Sequence, residues 1–250
     1  MMLDGKTAVV YGAGSIGGAV ARAFAREGAH VHLAGRSPDA LERVAEDIRT
    51  DGGVVQPAQV DALDERAVDE HTDKVAAESG GIDVLLNVIS HHSVHGTPMT
   101  EMSVDDFCGE VGTMVRTTFL TWRAAARHMI PRGSGVILAF GGAGDPMRDY
   151  YLGGTQVAFD TVETMRQQLS MEVGRHGIRI VTLRTGGVPE SLPDDFEGRD
   201  AIVDTIVEPT MLGRAATLED VGQVAAFVAS DRARTMTAAT VNISCGALID

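Results

Sequence analysis

Thr7-Ala-Val-Val-Tyr11-Gly12-Ala-Gly14-Ser15-Ile16-Gly17-Gly18, running on to His32-Leu-Ala-Gly35-Arg36-Ser37, is the stretch whose reading decides the fold. Thr7 to Val10 is an apolar, β-branched run of the length of a buried strand. Glycines follow at 12, 14 and 17, in G-x-G-x-x-G spacing. Ala19 to Glu27 then reads as a helix, with Val20, Phe24 and small alanines on one face, and Ala29 to Ala34 as a second strand. In a chain with 29 glycines that spacing alone says little. Between a strand and a helix of one βαβ unit it describes a dinucleotide cradle. The backbone turns tightly and comes close to a pyrophosphate, and the helix N-terminus offers free N–H groups and partial positive charge. The alternative is a Gly-rich turn that only permits close packing.

The end of the second strand refines the ligand. A site for NAD usually places Asp or Glu there, on the ribose 2′-hydroxyl. Here Gly35 is followed by Arg36 and Ser37. A cation and a hydroxyl suit a 2′-phosphate, so NADP is expected over NAD. The plainer reading of Arg36 is a solvated surface arginine.

The chain has 250 residues, 44% of them hydrophobic, enough for one core and one domain. A net charge of −14 argues against a nucleic-acid partner, which needs clustered Lys and Arg. The two cysteines, Cys108 and Cys245, suggest neither a disulfide framework nor a metal pair. No apolar run is long enough to span a bilayer, and the expectation is a cytoplasmic protein acting on a small molecule.

Strand and helix signals alternate along the chain. Helices are expected at Pro38–Thr50 (Ser37 as cap), Asp64–Glu78, Ser103–Ile130 (stopped by Pro131), Thr155–Val173 and Leu218–Ala229. Strands are expected at Val54–Val60, Ile82–Asn87, Gly135–Phe140, Ile178–Leu183 and Ala239–Ile243. Such alternation implies parallel strands with right-handed crossovers, and a ligand crevice at their carboxyl ends.

With these pieces in this order the chain resembles the short-chain dehydrogenase/reductase family over nearly its whole length. The resemblance rests on Gly12-x-Gly14-x-x-Gly17, Val60-Asp61, Ile82-Asp-Val-Leu-Leu-Asn87, Gly177-Ile-Arg179-Ile, Leu212-Gly-Arg214 with Glu219-Asp220, and Ala229-Ser-Asp231. The opening glycine spacing is one residue shorter than the family's usual one. The resemblance implies an α/β fold, a Rossmann-like doubly wound seven-stranded parallel sheet in a single domain. It implies a nicotinamide cofactor held by Gly12, Gly14, Ser15, Ile16, Gly17, Arg36, Ser37, Asp61, Ala62, Asn87 and the backbone of Val188. It also implies a substrate lid near 186–210 and a homo-oligomer, tetramer or dimer, built on the two long helices. Phe107, Val111, Val115, Phe119 and Trp122 stand at helical spacing on the first of these.

The chemistry departs from the family. Its enzymes usually set a Tyr to exchange the proton of a carbonyl oxygen, a Ser to hydrogen-bond that oxygen, a Lys to lower the tyrosine, and an Asn to hold a water. Alignment without gaps places Met114 at the Asn position, Gly142 at the Ser position, Thr155 at the Tyr position and Phe159 at the Lys position. If an activated substrate is reduced, the proton is expected from water, from the substrate, or from a residue at the crevice such as Tyr151, Thr155 or His92; His91 and His95 stand in the same loop, and the plainer reading of each histidine is one that hydrogen-bonds the loop or stands in solvent. A metal held by these histidines is not expected, because such loop spacing is not diagnostic. The leading expectation is an atypical NADP-dependent reductase of an activated carbonyl compound. The alternatives are a ligand-binding relative without redox activity, and a dehydratase or isomerase on the same fold.

Overall fold

Thr7–Tyr11 forms β1, buried at every residue, and it is the strand around which both halves of the sheet are laid. The computed structural model describes residues 1–89, 94–141, 151–193 and 198–249. In chain order the other strands are β2 (His30–Gly35), β3 (Val54–Gln59), β4 (Val84–Asn87), β5 (Gly135–Phe140), β6 (Ile178–Arg184) and β7 (Ala239–Asn242). The helices are α1 (Ser15–Arg26), α2 (Pro38–Thr50), α3 (Glu65–Ser79), α4 (Val104–Arg132), α5 (Gly154–Val173), α6 (Arg199–Val207) and α7 (Leu218–Ala229).

The strands make one seven-stranded sheet in the order β3-β2-β1-β4-β5-β6-β7, and every pairing is parallel. The order reverses between β1 and β4. That reversal opens a crevice at the carboxyl ends of these two strands. Alternate residues of the central strands feed two cores. Val10, Leu33 and Leu86 pack with Val20, Phe24, Val44 and Val221 of α1, α2 and α7. Val9, Tyr11 and Leu85 pack with Val68, Trp122, Met129 and Val162 of α3, α4 and α5. Burying each such side chain contributes about 1.5–3 kcal/mol, so neither layer of helices is optional.

Most element ends follow from local chemistry. Ser37 caps α2, accepting from the Ala40 N–H, with Pro38 in the first turn. Asp64 lies outside α3 as its cap and accepts from Arg66 and Ala67; left-handed Gly80 closes that helix. Two expectations are corrected. Pro131 does not stop α4, which runs to Arg132 and contains the proline in its last turn. The segment 186–210 is not a plain loop: it carries a short 3-10 turn, Pro189–Ser191, and the whole of α6. Residues 194–197 of that segment lie outside the described residues.

Candidate active site

The cradle is built where β1 meets α1. Gly12 has φ +116°, and a Cβ there would stand 2.6 Å from the Val88 carbonyl oxygen. A Cβ on Gly17 would stand 1.9 Å from the Gly12 carbonyl oxygen. Both positions therefore admit only glycine, and the loop folds tightly against the end of β4. The cap of α1 is Gly14, whose lack of a side chain leaves the first N–H groups of the helix uncapped. These are the features a pyrophosphate needs, so the residues present fit a nicotinamide dinucleotide.

Two cavities flank this turn. One, of about 700 Å³, is lined by Gly12, Gly14, Ser15, Arg36, Ser37 and Arg43, among others. Arg22 also reaches it but is paired with Asp47 at 2.7 Å. Arg36 is exposed, and among the described residues it forms no ion pair; its carbonyl accepts from Gln59 Nε2 at 3.1 Å. Ser37 Oγ is partly engaged by the α2 cap at 3.4 Å. The second cavity, of about 450 Å³, lies on the other side and is lined by Gly14, Ile16, Gly17, Asn87, Met114, Thr117, Phe159 and Ser191, among others. Asn87 is fixed there at both ends of its amide: Nδ2 donates to Thr117 Oγ1 at 3.3 Å, and Oδ1 accepts from the Ile89 N–H at 3.0 Å.

The remaining expected residues are placed as follows. Asp61 and Ala62 line neither cavity; exposed Asp61 accepts from the Leu63 N–H, and Ala62 is buried. Val188 is buried, and its carbonyl already accepts from the N–H and hydroxyl of Ser191. Gly142 and His92 lie outside the described residues. Tyr151 is exposed, and its carbonyl accepts from the Gly96 N–H. Thr155 is buried in the first turn of α5. It donates to the carboxyl oxygen Oε1 of Glu110 on α4, and His95 Nε2 lies 3.0 Å from the same hydroxyl. Glu110 escaped the sequence reading, because a glutamate in an acid-rich helix looks solvated. Its spacing held the signal: it precedes Met114 by one turn, as Thr155 precedes Phe159.

A family model described as enoyl-(acyl carrier protein) reductase matches residues 12–247. The chain is also 32% identical to meso-2,3-butanediol dehydrogenase of Serratia marcescens, over 99% of this chain and 96% of the relative. This chain belongs to the short-chain dehydrogenase/reductase family. D-threitol dehydrogenase of Mycolicibacterium smegmatis is 31% identical, over 98% of this chain and 93% of the relative. Among solved structures, a short-chain dehydrogenase/reductase from Serratia marcescens BCRC 10948 matches with a TM-score of 0.86 at 26% identity, covering 98% of this chain and 99% of the other. One from Mycobacterium marinum gives 0.86 at 27% identity, with 98% and 96% covered.

In this short-chain dehydrogenase/reductase the second cavity has apolar side chains, Met114 and Phe159 among them, beside the polar Asn87 and Thr117. The Phe159 ring lies against Gly141, where a Cβ would come within 2.6 Å of it. Where the sequence alignment puts a lysine and an asparagine, an aromatic ring and a thioether line the cavity. Of the chain's three tyrosines, Tyr11 is spent elsewhere. It is buried under the sheet and bonded to His71 Nδ1 at 2.8 Å, and burial, then Asp69, pushes its hydroxyl up.

Proposed function

We propose that this protein is an oxidoreductase that uses NADP(H) to reduce an activated carbonyl compound. The observation that carries the reading is the glycine cradle at α1, with Arg36 and Ser37 lining the cavity at the end of β2. Uncapped N–H groups of α1 would hold the pyrophosphate, and Arg36, Arg43 and the Ser37 hydroxyl would hold a 2′-phosphate. When bound, the nicotinamide supplies two electrons and a hydrogen to the carbonyl carbon. The chain's part is to orient the substrate against Asn87 and to exclude water with Met114 and Phe159. An activated carbonyl, such as a vicinal diketone, suits a site without the lysine-tuned tyrosine, because a neighbouring carbonyl stabilises the developing charge.

The test is a fluorescence titration with NADPH and NADH, followed by NADPH consumption on diacetyl and on cyclohexanone. NADPH is expected to bind more tightly, and Arg36→Ala to narrow the gap about tenfold or more, since a charge-assisted phosphate bond contributes about 1.5–3 kcal/mol. Diacetyl is expected to turn over and cyclohexanone negligibly. Equal affinity for the two cofactors would remove the NADP assignment. The replacement of polar groups by Phe159 and Met114 favours a second reading, a ligand-binding or non-redox relative. Tight NADPH binding without any carbonyl reduction would select it.

The protein is further proposed to act in the cytoplasm, where its thiols Cys108 and Cys245 would stay reduced, and to assemble as a homo-oligomer on α4 and α5. Segment 186–210 is proposed as the substrate lid: α6 has no buried residue, and Arg199 Nη2 donates to the Pro189 carbonyl at 3.5 Å. Among the described residues no helix is long and apolar enough to cross a membrane.

A further inference from the structure

We propose that His95 is the proton donor and acceptor of this crevice, and that the buried carboxyl of Glu110, acting through the Thr155 hydroxyl, holds its imidazole in place. The inference rests on the redox reading above. Glu110 is 1% exposed and Thr155 6%. A carboxylate buried this deeply costs several kcal/mol unless it is bonded. Here it sits at the open N-terminus of α5, whose cap Gly153 supplies no side-chain bond. A Cβ on Gly154, the first residue of α5, would stand 3.1 Å from Glu110 Oε2. The positive end of the helix favours an anion at this place.

Thr155 has one hydroxyl proton, and it goes to Glu110. The same oxygen must then accept from His95, so Nε2 of the ring carries a proton. A carboxylate thus fixes a tautomer through a hydroxyl, as the aspartate of a hydrolase triad does directly. His95 itself is exposed. Its loop is tied to the start of α5 a second time, by the Gly96 N–H on the Tyr151 carbonyl at 2.9 Å. Glu110 and Thr155 lie one helical turn before Met114 and Phe159, which line the second cavity. None of the three lines that cavity itself; Glu110 and Thr155 each stand one turn from a residue that does, and His95 is bonded to Thr155. Among the described residues, Glu110 and His95 are the titratable members of the set, and each makes a further interaction; Asp106, one turn earlier on α4, is engaged by the Ser103 hydroxyl at 2.7 Å.

The chemistry closes. On reduction, the carbonyl carbon gains a hydrogen and two electrons from reduced nicotinamide, and the oxygen gains the Nδ1 proton of a His95 imidazolium. The ring is left neutral with its proton on Nε2, the form the Thr155 bond prefers, and water returns the spent proton. Alcohol oxidation runs the same steps backwards.

The test compares His95→Gln, His92→Gln, Glu110→Gln, Thr155→Val and Thr155→Ser for melting, NADPH affinity and diacetyl reduction. Nitrogen-15 spectra of the histidines are recorded on cofactor-free protein. His95→Gln is expected to lower kcat by about 10²–10⁴-fold with NADPH affinity unchanged, and to cost far more turnover than His92→Gln. Thr155→Val and Glu110→Gln are expected to lower kcat by about tenfold or more at unchanged KM, being positioning losses smaller than that of the acid itself; Thr155→Ser keeps the rate. The wild-type His95 ring is expected to carry its proton on Nε2 and to lose that preference in Thr155→Val. Loss of turnover in His92→Gln in place of His95→Gln, or an Nε2 without its proton in wild type, overturns the proposal. If Glu110→Gln fails to fold, the Thr155→Val and Thr155→Ser pair still decides. A wild type that binds NADPH but reduces nothing sinks the redox reading, and the imidazole spectrum then judges the His95–Thr155–Glu110 chain by itself.

Discussion

At the scale of single residues, Gly17 and Glu110 show how differently a sequence announces its chemistry. Gly17 is legible because its reason is local: the turn that brings β1 into α1 leaves 1.9 Å between a Cβ there and the Gly12 oxygen. Gly17→Ala must push the loop away from the end of β4, and with it the N–H groups that would face a pyrophosphate. NADPH affinity in a fluorescence titration is expected to fall at least about tenfold, the equivalent of about 1.4 kcal/mol. Affinity equal to wild type would mean that the cradle does not hold the cofactor. Glu110 was illegible for the opposite reason. Its role depends on Thr155 and His95, which lie 45 and 15 residues away and meet it only when α4, α5 and the loop after β4 come together.

At the scale of elements, what the sequence showed follows from how each boundary is made. The bounds of α2 and α7 were read residue for residue, because Ser37 and Thr217 are side-chain caps. β5 was read as well, between Gly135 and the glycines after Phe140. The end of α4 was misread because Pro131 lacks an N–H and so removes one bond of the helix, but does not prevent Arg132 after it from keeping helical dihedrals. α6 was missed because it buries nothing and so shows no apolar stripe. The same logic applies to faces. Trp122 and Leu120 of α4 point into the core, while Phe119 is 53% exposed with the Arg123 guanidinium 5.6 Å over its ring. Val157, 39% exposed, lies on neighbouring α5. Apolar side chains left out on two packed helices are expected to be covered by a second copy of the chain. Phe119→Glu is expected to give a smaller particle than wild type by light scattering at micromolar concentration. A wild type that is already monomeric there would refute the assembly.

At the scale of the whole molecule, the response of stability to acid isolates one buried group. His71 on α3 accepts or shares the Tyr11 hydroxyl proton at 2.8 Å beneath the sheet, and its ring meets Tyr11 edge-on. Burial, with the nearby charges of His32 and Lys74, lowers its pKa from the ordinary 6.5 to about 4. His32, bonded to Ser79 at 3.1 Å, is lowered in the same direction, mainly by burial. Between these two pH values the unfolded chain binds a proton at position 71 that the folded chain refuses. Stability from this group is thus complete above pH 6.5 and lost as the pH falls toward 4, by on the order of 3 kcal/mol. A net charge of −14 at neutrality pulls the other way, since protonating carboxylates relieves repulsion. The raw pH profile mixes the two effects, and their separation needs a variant that changes one. His71→Gln keeps an acceptor for Tyr11 and removes the titration. It is expected to be less stable than wild type at pH 7 and to close much of that gap by pH 4.5 in urea melts. A gap that stays constant over this range would mean that His71 does not titrate differently in the folded and unfolded states.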